Sequence, residues 1–351
     1  MNNRSLTVDM EYIVDTMRRF IETPSPVGYY KEIKPLIEKY AEKYGYEVTY
    51  DNRKTAYITV KGEDESKTVC VSAHMDTLGF MTRGINEDGT LRIRGLGGVN
   101  YANVEGENVT VHTREGKKYT GMLICSHHSA HAYDDAKTAE RNENNVFVLL
   151  DETVKCREDV KKLGIQNGDY VSIDPRFTLT ENGYIKSRFI DNKAAAACSF
   201  NALKYLAENN LKPRYNTAFV FSFHEEIGLG GAYVPSEISE YVAVDIAIIG
   251  PDAEGSEHTV TICAKDASFP YDYDLTNNLI SLAKKYDCNY AIDVFYRYGS
   301  DASQAIKGGN NVSAAAFGMG VYSSHGVERA HVSGIENTAR LMLAYVLGAE
   351  E

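Results

Sequence analysis

Apolar residues fall at helical spacing from Tyr12 to Phe20 and again from Ile33 to Tyr44, with Pro24, Pro26 and Gly28 between them, so the chain is expected to open with two helices. Short β-rich runs follow at Glu47–Tyr50, Ala56–Val60 and Thr68–Ala73, and the last is continuously small or apolar, as a buried strand should be. The pattern then changes. Phe80–Ile85, Leu91–Arg94, Val109–Thr113 and Lys118–Ile124 alternate or run apolar around NEDG and REGK turns, which predicts hairpins. Val146–Leu150 reads as a further strand, Thr153–Leu163 as a charged helix and Asp169–Ile173 as another strand. Helix and strand alternate again afterwards: helix at Ala194–Leu206, strands at Thr217–Phe223 and Val242–Ile249, helices at Leu275–Tyr286, Ala302–Lys307 and Ile335–Leu347. One α/β domain, residues 1–80 and 178–351, is therefore expected to be interrupted by a small β-rich domain at 81–177.

Length agrees with this reading, since 351 residues at roughly 150 per domain suggest two domains. Charge narrows the partners. Lys plus Arg total 37 against 49 Asp plus Glu, a formal charge of -12, so no basic surface invites nucleic acid or an anionic membrane. Six scattered cysteines without a C-x-x-C pair suit a reduced, cytoplasmic chain, and no apolar leader or spanning segment is expected.

Ionisable groups recur where the α/β elements end, which is where open α/β sheets bind ligands. His74 and Asp76 follow the third predicted strand, Asp191 and Asn192 precede a helix, Glu225 and Glu226 follow VFSF, Asp245 interrupts YVAVDIAIIG, and His325 lies in a Gly/Ser loop. A lone buried carboxylate such as Asp245 costs on the order of several kcal/mol unless paired or metal-bound. In His74-x-Asp76 the two side chains share a face of an extended segment, so Asp76 can orient the imidazole. The Glu225–Glu226 pair permits one carboxylate to bind metal while the other serves as a base. Histidine mixed with carboxylate favours Zn, Co or Mn over Ca or Mg. Each motif alone has a bland reading: Asp191–Asn192 as a helix cap, Glu225–Glu226 as a solvated helix start, His325 as a turn residue. Joint occurrence in order is what points to a metal site.

The stretches VSAHMDTLGFM, RGLGGVNYANVEGENVTVHTREGKKYTGML, GIQNGDYVSIDPRF, RFIDNKAAAAC, FSFHEEIGLGGA, VAVDIAIIGPD, YGSDAS and YSSHGVERAHVSGIENTARLM span nearly the whole chain. Together they resemble the dinuclear-metal aminopeptidases that assemble into tetrahedral dodecamers, a family with glutamyl and deblocking aminopeptidases and some members that carry the name endoglucanase. The resemblance implies a zinc-exopeptidase-like α/β sandwich with a mixed sheet, and a β-barrel-like dimerisation domain inserted at 81–177. It also implies two divalent ions, Zn, Co or Mn, bridged by Asp191. His74 and Asp245 would complete one and Glu226 and His325 the other, with Glu225 as general base on a bridging water and Asp76 behind His74. The expected substrates are short peptides with a free amino terminus, and the expected partner is a second copy of the chain, dimers building to a dodecamer. The alternatives are an N-acyl amino acid deacylase or carboxypeptidase-like hydrolase, and a non-catalytic homologue.

Two departures stand out. Family members carry an Arg-Tyr-x-His-Ser pattern, whereas this chain reads Val321-Tyr322-Ser323-Ser324-His325-Gly326, one residue longer between Tyr and His, which leaves His331 as a competing ligand. Ser300-Asp301-Ala302 replaces Thr-Asp-Ala, and Asp301 is either close to the metals or the cap of the next helix. His127, His128 and His131 are expected in a polar loop of the inserted domain, His224 as structural, Gly228-Leu229-Gly230-Gly231 as no phosphate loop, and Gly95-Leu96-Gly97-Gly98 as no dinucleotide fingerprint.

Overall fold

The computed structural model describes residues 6–348. In chain order its elements are α1 (Met10–Glu22), α2 (Ile33–Lys43), β1 (Thr49–Tyr50), β2 (Ala56–Val60), β3 (Asp64–His74), β4 (Gly79–Ile85), β5 (Leu91–Leu96), β6 (Asn108–His112), β7 (Lys118–Cys125), β8 (Val146–Leu150), α3 (Arg157–Lys162) and β9 (Tyr170–Ile173). They continue with β10 (Thr178–Leu179), β11 (Tyr184–Ser187), α4 (Ile190–Glu208), β12 (Tyr215–Ser222), β13 (Ile238–Val244), β14 (Ala247–Ile248), β15 (Val260–Lys265), α5 (Tyr273–Lys285), β16 (Tyr290–Val294), α6 (Asp301–Lys307), β17 (Ser313–Val321), β18 (Glu328–His331) and α7 (Val332–Leu347).

A mixed sheet in the order β1-β2-β12-β3-β13-β17-β15-β16 forms the middle layer, with β14 attached to β17. Strands β12, β3, β13 and β17 run parallel, so their carboxyl ends open on one edge. Side-chain alternation divides the core. Val69, Val71, Ala73, Phe219 and Phe221 face the larger cluster, shared with α1, α2, α4 and α7, whereas Cys70, Ala218 and Val220 face a smaller one containing Ala302 and Ala305 of α6. Phe200 of α4 stacks on Phe221 at 5.1 Å and meets Phe20 of α1 edge-on at 5.4 Å. Asp9 starts α1 by accepting the Tyr12 N–H at 3.0 Å, and Ile13, Met17, Phe20 and Ile21 bury its apolar stripe.

Strands β4-β5-β8-β7-β6-β9 close into an antiparallel barrel, filled by Phe80, Leu91, Ile93, Val111, Leu123 and Val148 among others. Closure leaves this barrel no free sheet edge. Strands β10, β11 and β18 make a separate three-stranded sheet beside the exit from the barrel.

Several expectations shift. The strand expected over Val242–Ile249 is interrupted. Asp245 leaves the ladder, its Oδ1 accepts the Ile246 N–H at 2.7 Å, and β14 resumes only at Ala247. The helix expected over Thr153–Leu163 contracts to α3, and pattern reading misses β15, β16 and β17 altogether. In β17, SAAAFGMGV is too rich in Ala and Gly to carry a strand signal, although nearly all of it is buried. Among the described residues all six cysteines are free, and no helix is long and apolar enough to cross a membrane.

Candidate metal centre

Three strand ends, one helix start and one loop deliver the ligand candidates. His74 is the last residue of β3, Asp245 follows β13, and Glu225 and Glu226 begin a 3-10 turn just beyond β12. Asp191 lies in the first turn of α4, where Asp191 and Asn192 depart from helical dihedrals and their shared peptide bond is cis. His325 comes from the connection between β17 and β18. This loop carries left-handed backbone at Ser323 (φ 58°) and His325 (φ 66°), and the imidazole turns toward Glu226 and Asp191.

These groups converge. His74 Nε2 lies 3.0 Å from Asp191 Oδ1, 3.7 Å from Glu225 Oε2 and 3.9 Å from Asp245 Oδ1. His325 Nε2 lies 3.3 Å from Glu226 Oε2 and 4.0 Å from Asp191 Oδ2, so Asp191 reaches toward both histidines. Donor atoms of His74, Asp191 and Glu226 lie within 4.8 Å of one another, as do those of His74, Glu225 and Asp245.

The supporting contacts refine the expected roles. The carbonyl of Asp76 accepts from His74 Nδ1 at 3.1 Å, while the nearest Asp76 carboxylate oxygen stands 3.5 Å away. The Asp76 side chain chiefly accepts the main-chain N–H groups of Glu225 (3.2 Å) and Glu226 (3.1 Å) and so ties the glutamate turn to β3. Asp191 is not a helix cap: its carboxylate meets His74 and, at 3.3 Å, the Ser324 hydroxyl. Ser300, rather than Asp301, caps α6, and the buried Asp301 accepts the Ser222 hydroxyl at 2.5 Å. His331 lies apart from the cluster, capping α7 and contacting the Asn182 carbonyl at 2.9 Å. His127 pairs with Asp135 and stacks on Tyr133 in the barrel's β7–β8 loop.

Two participants carried little signal in the sequence. Glu328 accepts the N–H of Asp191 at 3.1 Å and that of His325 at 3.3 Å, joining the two loops. Lys193, 0% exposed, donates to Ser25 Oγ at 2.6 Å and to the Met75 carbonyl at 2.5 Å beneath His74. A single lysine ahead of AAAAC was the available clue to the latter.

Electrostatics show what this site lacks. Burial, reinforced by Asp191, pushes the Asp245 carboxyl well above its ordinary range, and burial with Asp245, Asp301 and Glu226 around it does the same to Glu225. His74 is buried, which opposes its charge, yet Asp191, Asp76, Glu225 and Asp245 hold it protonated. Glu226 raises His325 to about 10. Four carboxylates, Asp191, Glu225, Glu226 and Asp245, thus share two imidazoles, a donor set short of positive charge that fits divalent cations binding nitrogen and oxygen. The cluster opens into a cleft of about 1050 Å³ whose far wall includes Ile248, Phe295 and Tyr298.

Comparison with known proteins makes the chain a hydrolase of the exopeptidase class. It belongs to the peptidase M42 family: the family model described as M42 glutamyl aminopeptidase matches residues 55–341. YhfE of Bacillus subtilis, a protein named as a candidate aminopeptidase, is 40% identical over 334 residues, covering 95% of this chain and 96% of its own. The lysyl aminopeptidase of Pyrococcus furiosus is 25% identical over 341 residues, covering 94% and 95% respectively. In fold the chain is similar to the TET1 peptidase of Pyrococcus horikoshii, which can assemble into a tetrahedron or a large octahedral shell, with a TM-score of 0.84, 22% identity and coverage of 96% of this chain and 100% of that one.

Proposed function

We propose that this protein is a metal-dependent aminopeptidase that removes N-terminal residues from short peptides. The observation that carries the reading is the convergence of His74, Asp191, Glu225, Glu226, Asp245 and His325 at the mouth of one cleft. His74 and Asp245 would hold one divalent ion, Glu226 and His325 a second, and Asp191 both; Zn, Co and Mn suit this set. Such ions supply Lewis acidity for a water and for the scissile carbonyl. Glu225 is the proton carrier: its carboxylate lies 3.7 Å from His74 Nε2 and lines the cleft, placed to take a proton from an attacking water and pass it to the leaving amine. Asp76 fixes the Glu225–Glu226 turn and, through its carbonyl, the ring of His74. The peptide's free amine would be held at the metal centre, which would make the reaction exopeptidic.

The domain reading belongs to the same proposal: residues 1–80 and 178–351 are the catalytic domain, and 81–177 is a dimerisation domain through which the chain forms homo-oligomers, with dimers assembling to a dodecamer. Low basic charge and free cysteines support action in the cytoplasm.

The test is hydrolysis of aminoacyl-p-nitroanilides and short peptides after loading with Zn, Co or Mn. Activity is expected with a free amino terminus and none with an acetylated one, and Glu225→Gln should bind metal but not turn over. Cleavage of the acetylated series would instead identify a deacylase.

A further inference from the structure

The barrel does more than stand beside the catalytic sheet. The turn after β5, within the Gly95-Leu96-Gly97-Gly98 segment, reaches out of the barrel and lies against Glu226 and His325. The Gly98 carbonyl stands 3.0 Å from His325 Nδ1; since a carbonyl only accepts, Nδ1 carries the proton and Nε2 is left facing Glu226 and Asp191. Gly97 has φ +80°, and a Cβ there would fall 2.5 Å from Leu78 Cδ2 and 3.2 Å from Glu226 Cβ. A Cβ on Gly98 would sit 3.0 Å from the His325 ring nitrogen. A side chain at Gly97 would be strained by its backbone, and one at Gly98 would press directly on the His325 ring. Further along the same connection the Asn103 carbonyl accepts from Arg188, a residue 2% exposed that also pairs with Glu107 of the barrel at 3.1 Å and lies three positions before Asp191.

We infer that the Gly97–Gly98 turn of the barrel is the positioning element of the Glu226–His325 metal position, so that occupancy of that position is coupled to the seating of the barrel while the His74–Asp245 position is not. This rests on the ligand assignment proposed above. The asymmetry follows from what holds each imidazole. His74 is anchored within the sheet domain by the carbonyl of Asp76, whereas the ring of His325, at the tip of a loop with two left-handed residues, is anchored by a carbonyl from the inserted domain. Coupling of this kind is reciprocal: filling the Glu226–His325 position must also stiffen the barrel's attachment.

Stepwise calorimetric titration of the metal-free full chain with Zn, paired with metal analysis of the dialysed protein, tests this. Gly98→Ala should weaken the second ion by about 10- to 100-fold, the range for disturbing a group that orients a ligand, and change the first by less than about 3-fold. Gly106→Ala provides a stringent control for loss of a barrel glycine as such, because its positive φ, which Gly98 lacks, adds backbone strain while nothing lies within 4 Å of its Cβ; both ions should bind as in the parent. His325→Ala must lose the second ion. If it still binds two, the ligand assignment itself fails. If His325→Ala loses the ion while Gly98→Ala keeps both affinities, or if Gly98→Ala and Gly106→Ala weaken both ions alike, the assignment stands and the positioning role of the barrel is overturned.

Discussion

The two halves of the candidate metal centre are built on different principles. His74 and Asp245 sit at the ends of adjacent parallel strands, with side chains 1% and 6% exposed, and their spacing is set by the sheet itself. Glu226 and His325 sit on turns beyond the sheet, and His325 keeps 35% of its side chain exposed. The first half inherits the rigidity of the core. The second is assembled from a 3-10 turn, a left-handed loop, the Glu328 carboxylate and a barrel carbonyl, and needs all of them in place. A centre made this way has one position fixed by the fold and one that depends on neighbouring segments.

Removing what the halves share should have the largest effect. Asp191→Ala is expected to abolish binding of both ions and to lower turnover by about 10³-fold or more, whereas Glu225→Gln keeps both ions and loses about 10²–10⁴ in kcat. Metal analysis beside kinetics separates the two, and Asp191→Ala retaining one tight ion would show that the halves are independent. Next comes the stability of the metal-free protein. His74→Ala leaves buried carboxylates without their cation and should cost about 3–5 kcal/mol in a urea melt, while His325→Ala, partly solvated, should cost about 1 kcal/mol or less. Equal losses would break the contrast between sheet-built and loop-built halves.

A pH experiment bears on the barrel that supports the second half. Burial lowers His112, at the end of β6, to about 4, with Glu32 opposing and Lys118 assisting. Between that value and the unfolded pKa near 6.5 the unfolded chain binds more protons, so this contribution is complete above pH 6.5 and is lost as pH falls toward 4. On the order of 3 kcal/mol is involved. His112→Gln should flatten that part of the profile of unfolding free energy against pH, and an unchanged profile would remove His112 from the account. The smallest effect is expected for His331→Ala, which should leave metal stoichiometry at the parent value and cost about 1 kcal/mol through loss of the α7 cap.

The same contrast explains what could be read from the sequence. His74 and Asp76 were legible because TVCVSA announces a buried strand and polar groups at its end have few other reasons to be there. Asp245 was legible because it stands alone among apolar residues, although the break it makes in the strand was not, since the bond from Ile246 N–H to its carboxylate is one of several local conformations that an aspartate can adopt. His325 was identified only with His331 as a rival, and three-dimensional placement separates them through backbone dihedrals that no residue type at 323–325 announces. The Gly95–Gly98 segment could be excluded as a dinucleotide fingerprint, but its contact with His325 joins residues 227 positions apart and leaves no local trace. Likewise Glu328 showed proximity to His325 in the chain, not its second bond to Asp191.

The place where the barrel enters the chain has a consequence for folding order. His74 and Asp191, which must meet at 3.0 Å, are separated by 117 positions, nearly all of them barrel. An unstructured segment of that length would have to be closed by chance. Once β4 and β9 pair at Phe80 and Val171, only the stretches 74–80 and 171–191 remain to be closed, which lowers the chain-entropy cost of bringing the two residues together by about 1 kcal/mol. A barrel that folds early would act as an intramolecular clasp, shortening the path between two parts of the mixed sheet that are distant in synthesis. Circular permutants opened within the barrel should then refold more slowly than those opened in the α5–β16 turn.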